Sequence, residues 1–199
     1  MSNDEDETRK NWQKMQAKFL ATGKEVFVEK TPLHIRRLHV IRRFVPCAQF
    51  LIMVRDPRDV AASFVKRGFS AESGLQRWVR DSRETLRHGA EDHVFIQRYE
   101  DLVSDVQGSI RQICEFFGLE FEEEMLRHHE VKEKWFGVPD MEKGSGKDGV
   151  QHRRLRNWQI HQPVFDGRGK WKGSLTEKEL AVFSSKKVLD LAAQFGYKL

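Results

Sequence analysis

Apolar residues fall into short runs whose spacing changes along the chain. Phe50-Leu51-Ile52-Met53-Val54 is an unbroken apolar run. It predicts a strand over residues 49–54, buried on both faces as in a parallel sheet. Val26-Phe27-Val28 predicts another strand at residues 25–29, and a third follows at residues 92–97. Elsewhere the period is helical. Leu75, Trp78, Val79, Ser82 and Leu86 share one face of a helix predicted over residues 71–88. Further helices are predicted at residues 11–21, 32–44, 57–67, 105–118, 120–130 and 176–195. Pro57 opens one of them, Gly118 closes another, and Thr176 with Glu179 forms a capping box. Residues 136–170 are rich in Gly, Pro and charge, and read as a long, partly mobile loop. Strands alternating with helices predict an α/β fold with a three-layer parallel sheet.

Composition narrows this picture modestly. A chain of 199 residues accommodates one domain with a full core. The expected division is an acidic tail and short helix at residues 1–24, followed by one α/β domain at residues 25–199. The net charge of +5 suits a phosphorylated nucleotide or another anionic ligand, although ordinary surface lysine and arginine give the same balance. Nucleic acid is not the expected partner. Cys47 and Cys114 sit in apolar settings and read as buried thiols, with no zinc spacing. No run approaches the roughly 18 apolar residues of a membrane span. No signal peptide opens the sequence, so the expectation is a cytoplasmic protein away from membranes.

The chemistry concentrates after the strand at 49–54. Arg55-Asp56-Pro57-Arg58 forms an abrupt polar turn, and a helix then begins. A strand–turn–helix of this kind places a ligand at the carboxyl edge of a parallel sheet. Arg55 offers a planar, permanently charged fork suited to phosphate. Ser63 lies eight positions on, about two helical turns into the helix. The pair is a plausible clamp for one phosphate. The structural alternatives are an ion pair of Arg55 with Asp56 or Asp59, and a Ser63 hydroxyl bonded to its own helix backbone. Arg58 reads as support for the turn. Arg153, Arg154 and Arg156 read as a solvated charge run, the rival being an anionic-substrate patch.

These residues also carry a resemblance. Arg55-Asp56-Pro57-Arg58-Asp59-Val60-Ala61-Ala62-Ser63 resembles the 3′-phosphate-binding motif of sulfotransferases that use 3′-phosphoadenosine-5′-phosphosulfate (PAPS). Val26-Phe27-Val28-Glu29-Lys30-Thr31-Pro32 resembles the family's strand ending in Lys-Thr-Pro. Phe44-Val45-Pro46-Cys47-Ala48-Gln49-Phe50 is similar to its lead into the next strand. Arg98-Tyr99-Glu100-Asp101-Leu102 resembles its Tyr-Glu-Asp segment. The match runs over about residues 25–120, with a weaker echo at Gly169-Lys170-Trp171-Lys172. It implies a P-loop NTPase-like sulfotransferase fold. It also implies roles by position. Arg55 and Ser63 would hold the 3′-phosphate, Tyr99 the adenine end, and Arg168 and Lys170 a basic segment over the nucleotide. Lys30 would stabilise the transferring sulfuryl group, and His34 or Glu29 is the candidate base. The implied co-substrate is PAPS, leaving as 3′-phosphoadenosine-5′-phosphate (PAP), with no metal and an unidentified acceptor.

One part of the family pattern is not found. The first strand of such proteins leads into a Gly/Ser/Thr-rich loop that wraps the 5′-phosphosulfate with backbone N–H groups. Residues 1–10 are acidic and read as disordered, and Trp12, Met15, Phe19 and Leu20 predict a short amphipathic helix instead. Gly144-Ser145-Gly146-Lys147 lacks a preceding apolar strand and reads as a flexible loop. The expectation is therefore a fold missing its first strand, loop and helix. The chain then reads as a fragment of an active enzyme, a degenerate member, or a chain whose sheet is completed by a second copy or a partner. The Trp12 helix is the other cover for the gap. Sulfuryl transfer to a hydroxyl or amine is the leading reading. A catalytically incomplete nucleotide-binding or interaction protein is the alternative. A nucleotide kinase is disfavoured, because no Gly-Lys-Ser/Thr loop follows a strand.

Overall fold

The computed structural model describes residues 3–130 and 149–199. The chain divides into two compact units, Met1–Phe50 and Leu51–Leu199. In the first, α1 (Asn3–Leu20) starts inside the acidic stretch expected to be disordered. An acidic first turn suits the helix dipole, a favourable effect that charge counting alone leaves out. Residues 25–29 form no strand, contrary to expectation. Val26 and Val28 are 52% and 81% exposed. A strand exists only through a neighbour's hydrogen-bond ladder, and the described residues offer this segment none. Phe27 packs against Trp12 at 6.4 Å and Phe19 at 5.6 Å between ring centroids. The helix expected over residues 32–44 breaks into a 3₁₀ turn (Pro32–Arg36) and α2 (Leu38–Phe44). Leu38 is the buried residue of that helix.

The second unit is built on two adjacent parallel strands, β1 (Phe50–Val54) and β2 (Val94–Arg98). Parallel neighbours need a crossover, supplied here by α3 (Pro57–Lys66) and α4 (Ala71–His88). Those two helices pack very closely at Gly74, where a Cβ would stand 2.7 Å from the Ala61 Cα. The mixed α/β class with a parallel sheet is thus as the sequence implies. The burial of β1 is not. Leu51 and Met53 are 42% and 46% exposed while Val54 is buried. An apolar run guarantees burial only where both faces are covered, and one face of β1 is open.

Beyond β2 the chain forms α5 (Tyr99–Ser104) and α6 (Val106–Phe117), then a 3₁₀ segment (Glu123–Glu130) kinked at Arg127. Asp105 caps α6 by accepting from the Gly108 N–H, and Gly118 ends it at φ 64°, in the left-handed region glycine favours. Part of the expected loop over 136–170 is instead a helix, α7 (Gly149–Ile160), with Asn157 fully buried. Gly144-Ser145-Gly146-Lys147 lies outside the described residues. The last predicted helix is broken into α8 (Glu177–Leu180), a 3₁₀ turn (Ala181–Phe183) and α9 (Lys186–Ala193). Its capping box is present as expected. The core joins Val54, Ala61, Trp78, Phe183, Leu191 and Phe195. Cys114 is buried as expected, whereas Cys47 is exposed; both are free thiols.

Candidate functional site

The carboxyl end of β1 is fixed from several directions. The Trp78 indole N–H donates to the Arg55 carbonyl at 2.9 Å, so α4 holds the strand end in place. Asp56 caps α3, accepting from the Arg58 N–H at 2.8 Å and pairing with the Arg58 guanidinium at 2.7 Å. Arg58 therefore supports the turn, as the sequence suggested. The Asp56 N–H donates to Glu100 Oε1 at 2.9 Å, and Glu100 Oε2 accepts from the Tyr197 hydroxyl at 2.8 Å. Burial first, and that bond second, push the Tyr197 phenol far above its ordinary range.

The Arg55 side chain leaves this edge beneath a strap formed by residues 165–171. Its Nη2 donates to the Gly167 carbonyl at 2.5 Å and stands 3.8 Å from Asp59 Oδ2. Its guanidinium lies over the Tyr99 ring, 4.3 Å from the centroid. The Arg55 Nε is buried without a hydrogen-bond partner. The strap is bonded in turn. The Tyr99 hydroxyl donates to the Phe165 carbonyl at 2.8 Å and accepts from the Gly167 N–H at 2.9 Å. Asp59 accepts from the Gly169 N–H at 2.9 Å and the Trp171 N–H at 3.0 Å. The Arg58 guanidinium lies over the Trp171 ring at 4.4 Å. A Cβ at Gly167 would stand 2.8 Å from the Tyr99 hydroxyl and 3.1 Å from Arg55 Nη2, so a larger residue there would displace one of them.

Most of the residues singled out for nucleotide binding therefore meet at one place. Arg55, Tyr99, Arg168 and Lys170 come together through the strap, 112 positions apart for its Arg55 to Gly167 bond. Ser63 is exposed on α3, in line with Arg55 and Asp59 at four-residue spacing. Arg168 pairs with Asp166 at 2.6 Å and donates to the Ser104 hydroxyl at 2.5 Å. Its bonds hold the Asp166 carboxyl below the usual carboxylate range. Lys170 Nζ sits 4.5 Å from the centroid of the Phe165 ring, and Phe165 is itself 60% exposed. Tyr99 uses its hydroxyl on the strap and its ring on Arg55, which makes it a support for both.

The three other candidates lie in the first unit. Lys30 is exposed. Glu29 and His34, separate candidates for the base, form one pair, with Glu29 Oε2 2.8 Å from His34 Nδ1. The Thr31 hydroxyl donates to the other Glu29 oxygen at 2.7 Å. The strand parity expected of Glu29 does not apply, since its segment is not a strand.

The residues present fit a phosphate at Arg55. A buried guanidinium N–H lacks a partner there, and Gly167 brings backbone to within contact of the same side chain. Neither β1 nor β2 is followed by a Gly-rich loop among the described residues. Sequence reasoning named Asp59 only as an ion-pair partner of Arg55, a pair present at 3.8 Å, and gave no role to Gly167, Glu100 or Tyr197. The Gly-x-Gly spacing of 167 and 169 was the available signal for the strap.

The model of the Sulfotransferase family matches residues 3–123. A putative protein-tyrosine sulfotransferase of Caenorhabditis briggsae is 26% identical over 141 residues, covering 65% of this chain and 50% of its own length. The protein-tyrosine sulfotransferase of Drosophila melanogaster is 27% identical over 158 residues, covering 73% of this chain and 30% of its own. The chain thus spans about half the length, or less, of these curated relatives. Among solved structures, the sulfotransferase domain from the curacin biosynthetic pathway superposes with a TM-score of 0.67 at 21% identity. That match covers 96% of this chain and 68% of the other. The sulfotransferase domain of the Synechococcus PCC 7002 olefin synthase gives 0.65 at 20%, covering 94% and 64%. These two likenesses concern the fold.

Proposed function

This chain belongs to the sulfotransferase family, and we propose that it binds PAPS by its 3′-phosphate and transfers the sulfuryl group to an acceptor hydroxyl or amine. The observation that carries this reading is Arg55, held at the sheet edge by Tyr99 and Gly167 with its Nε buried and unpartnered. A dianionic phosphate would satisfy that N–H and gain a charge-assisted bond. Ser63, two turns along α3, would add a hydroxyl, and Arg168 and Lys170 add positive charge from the strap. The nucleotide, when bound, supplies the sulfuryl group and its phosphate leaving group.

The remaining roles fall to the first unit. Lys30 would place a cation against the charge that develops on the sulfuryl oxygens. The Glu29–His34 pair supports His34 as the proton acceptor. A carboxylate at Nδ1 favours the tautomer that carries its proton there and leaves Nε2 free to accept one. Glu29 then orients the ring instead of serving as the base. The names of the relatives support the phenolic hydroxyl of a polypeptide tyrosine as the first acceptor to assay.

A labelled-sulfate transfer assay from PAPS to tyrosine-containing peptides tests the reading. Wild type should transfer. His34→Ala should lower kcat by roughly 10²–10⁴-fold, the usual worth of a general base, with little change in nucleotide KM. A His34→Ala variant as active as wild type removes the base assignment. A wild type that binds nucleotide without transfer to any acceptor favours a binding protein.

A further inference from the structure

We infer that Asp59 is a positioning residue that fastens the strap 165–171 against Arg55, so that anion affinity at Arg55 depends on the strap being closed. This rests on the nucleotide reading of Arg55. Asp59 is 3% exposed, and both of its oxygens are used on the strap. Oδ2 accepts from the Gly169 N–H and Oδ1 from the Trp171 N–H, residues 110 and 112 positions away. The same Oδ2 faces Arg55 Nη2 at 3.8 Å. A single buried carboxylate thus ties the ligand-facing arginine to a distant segment.

The arrangement is a device for holding Arg55 ready. The Gly167 carbonyl takes Nη2, the Tyr99 ring takes the flat face, and Nε is left over. With the strap released, the guanidinium regains its rotamers, and binding an anion must then cost their loss. Gly169 stands at φ 68°, and the turn presents the Gly169 and Trp171 N–H groups, two positions apart, to one carboxylate. Asparagine at 59 keeps the shape but offers one acceptor oxygen to two N–H groups, and turns an N–H₂ toward the other donor.

The test pairs amide hydrogen exchange by NMR with calorimetric binding of PAP. In Asp59→Asn, the Gly169 and Trp171 amides should exchange faster while those of α4 stay protected. PAP affinity should fall about tenfold, the scale of one or two lost hydrogen bonds. Asp59→Glu keeps both acceptor oxygens and should bind more tightly than Asp59→Asn. A mere packing role predicts the reverse order, since asparagine is the isosteric residue. Gly167→Ala, which opens the strap from its other attachment, should reproduce the affinity loss with Asp59 intact. Unchanged protection in Asp59→Asn overturns the strap assignment. A released strap with unchanged or tighter PAP binding overturns the coupling. A wild type without PAP affinity sinks the nucleotide reading, and the fastening role then stands or falls on the exchange rates.

Discussion

The Tyr197 phenol is buried against Glu100, and burial with that bond raises its pKa far above the ordinary range. Its folded pKa is raised above the unfolded value of 10.0. The stability it contributes is therefore complete below pH 10 and declines as pH rises beyond it. There the unfolded chain releases the proton and the folded chain does not. The chain has two tyrosines, so a Tyr99→Phe background isolates this one. Tyrosinate absorbance in that background should appear together with loss of structure at alkaline pH, in one transition. An absorbance rise well before unfolding would contradict the buried Tyr197–Glu100 bond. At this scale the sequence was partly legible. Arg55 and Ser63 could be proposed from sequence because they flank one turn, eight positions apart. Asp59 was legible only as a local ion-pair partner of Arg55. Its two strongest bonds run to residues more than a hundred positions away, where no local pattern reaches.

At the scale of elements, boundaries set by caps were the easiest to read. α3 begins at Pro57 and α6 ends at Gly118, as those residues signal. The segment at 25–29 failed for the opposite reason, because a strand is a property of a pair. The exposed face of β1 has the same origin: apolar content shows what a run tolerates, not what covers it. α7 went unseen because its twelve residues carry only a weak apolar stripe between Gly-rich flanks. Gly74 was read only as part of a helix, yet it sets the distance between α3 and α4. Gly74→Ala would gain about 1 kcal/mol of helix propensity. It would also press a methyl onto the Ala61 backbone, where overpacking costs roughly 1–3 kcal/mol. The expected outcome is a lower urea midpoint at unchanged m-value. A higher midpoint would mean that the two helices part without cost.

At the scale of the molecule, fold and site were legible to different degrees. The α/β class and the family emerged from four ordered motifs, and the fold likeness extends over nearly the whole chain. The strap did not emerge as a strap. Its Gly169-Lys170-Trp171-Lys172 echo was visible, but its closure rests on bonds to Arg55, Asp59 and Tyr99, which lie 66 to 112 positions from their strap partners. Two observations bear on how the chain works as a whole. It spans about half the length of the relatives named for protein-tyrosine sulfation, and the Leu51 and Met53 face of β1 is open. The central claim nevertheless concerns one place, the anion site at Arg55. It is tested most directly by calorimetric titration of PAP into wild type and Arg55→Ala, with both proteins shown to be folded. The account predicts micromolar binding by wild type, at least tenfold weaker in the variant, as the loss of a charge-assisted contact requires. Equal affinities in the two proteins, or a folded wild type that does not bind, would contradict it.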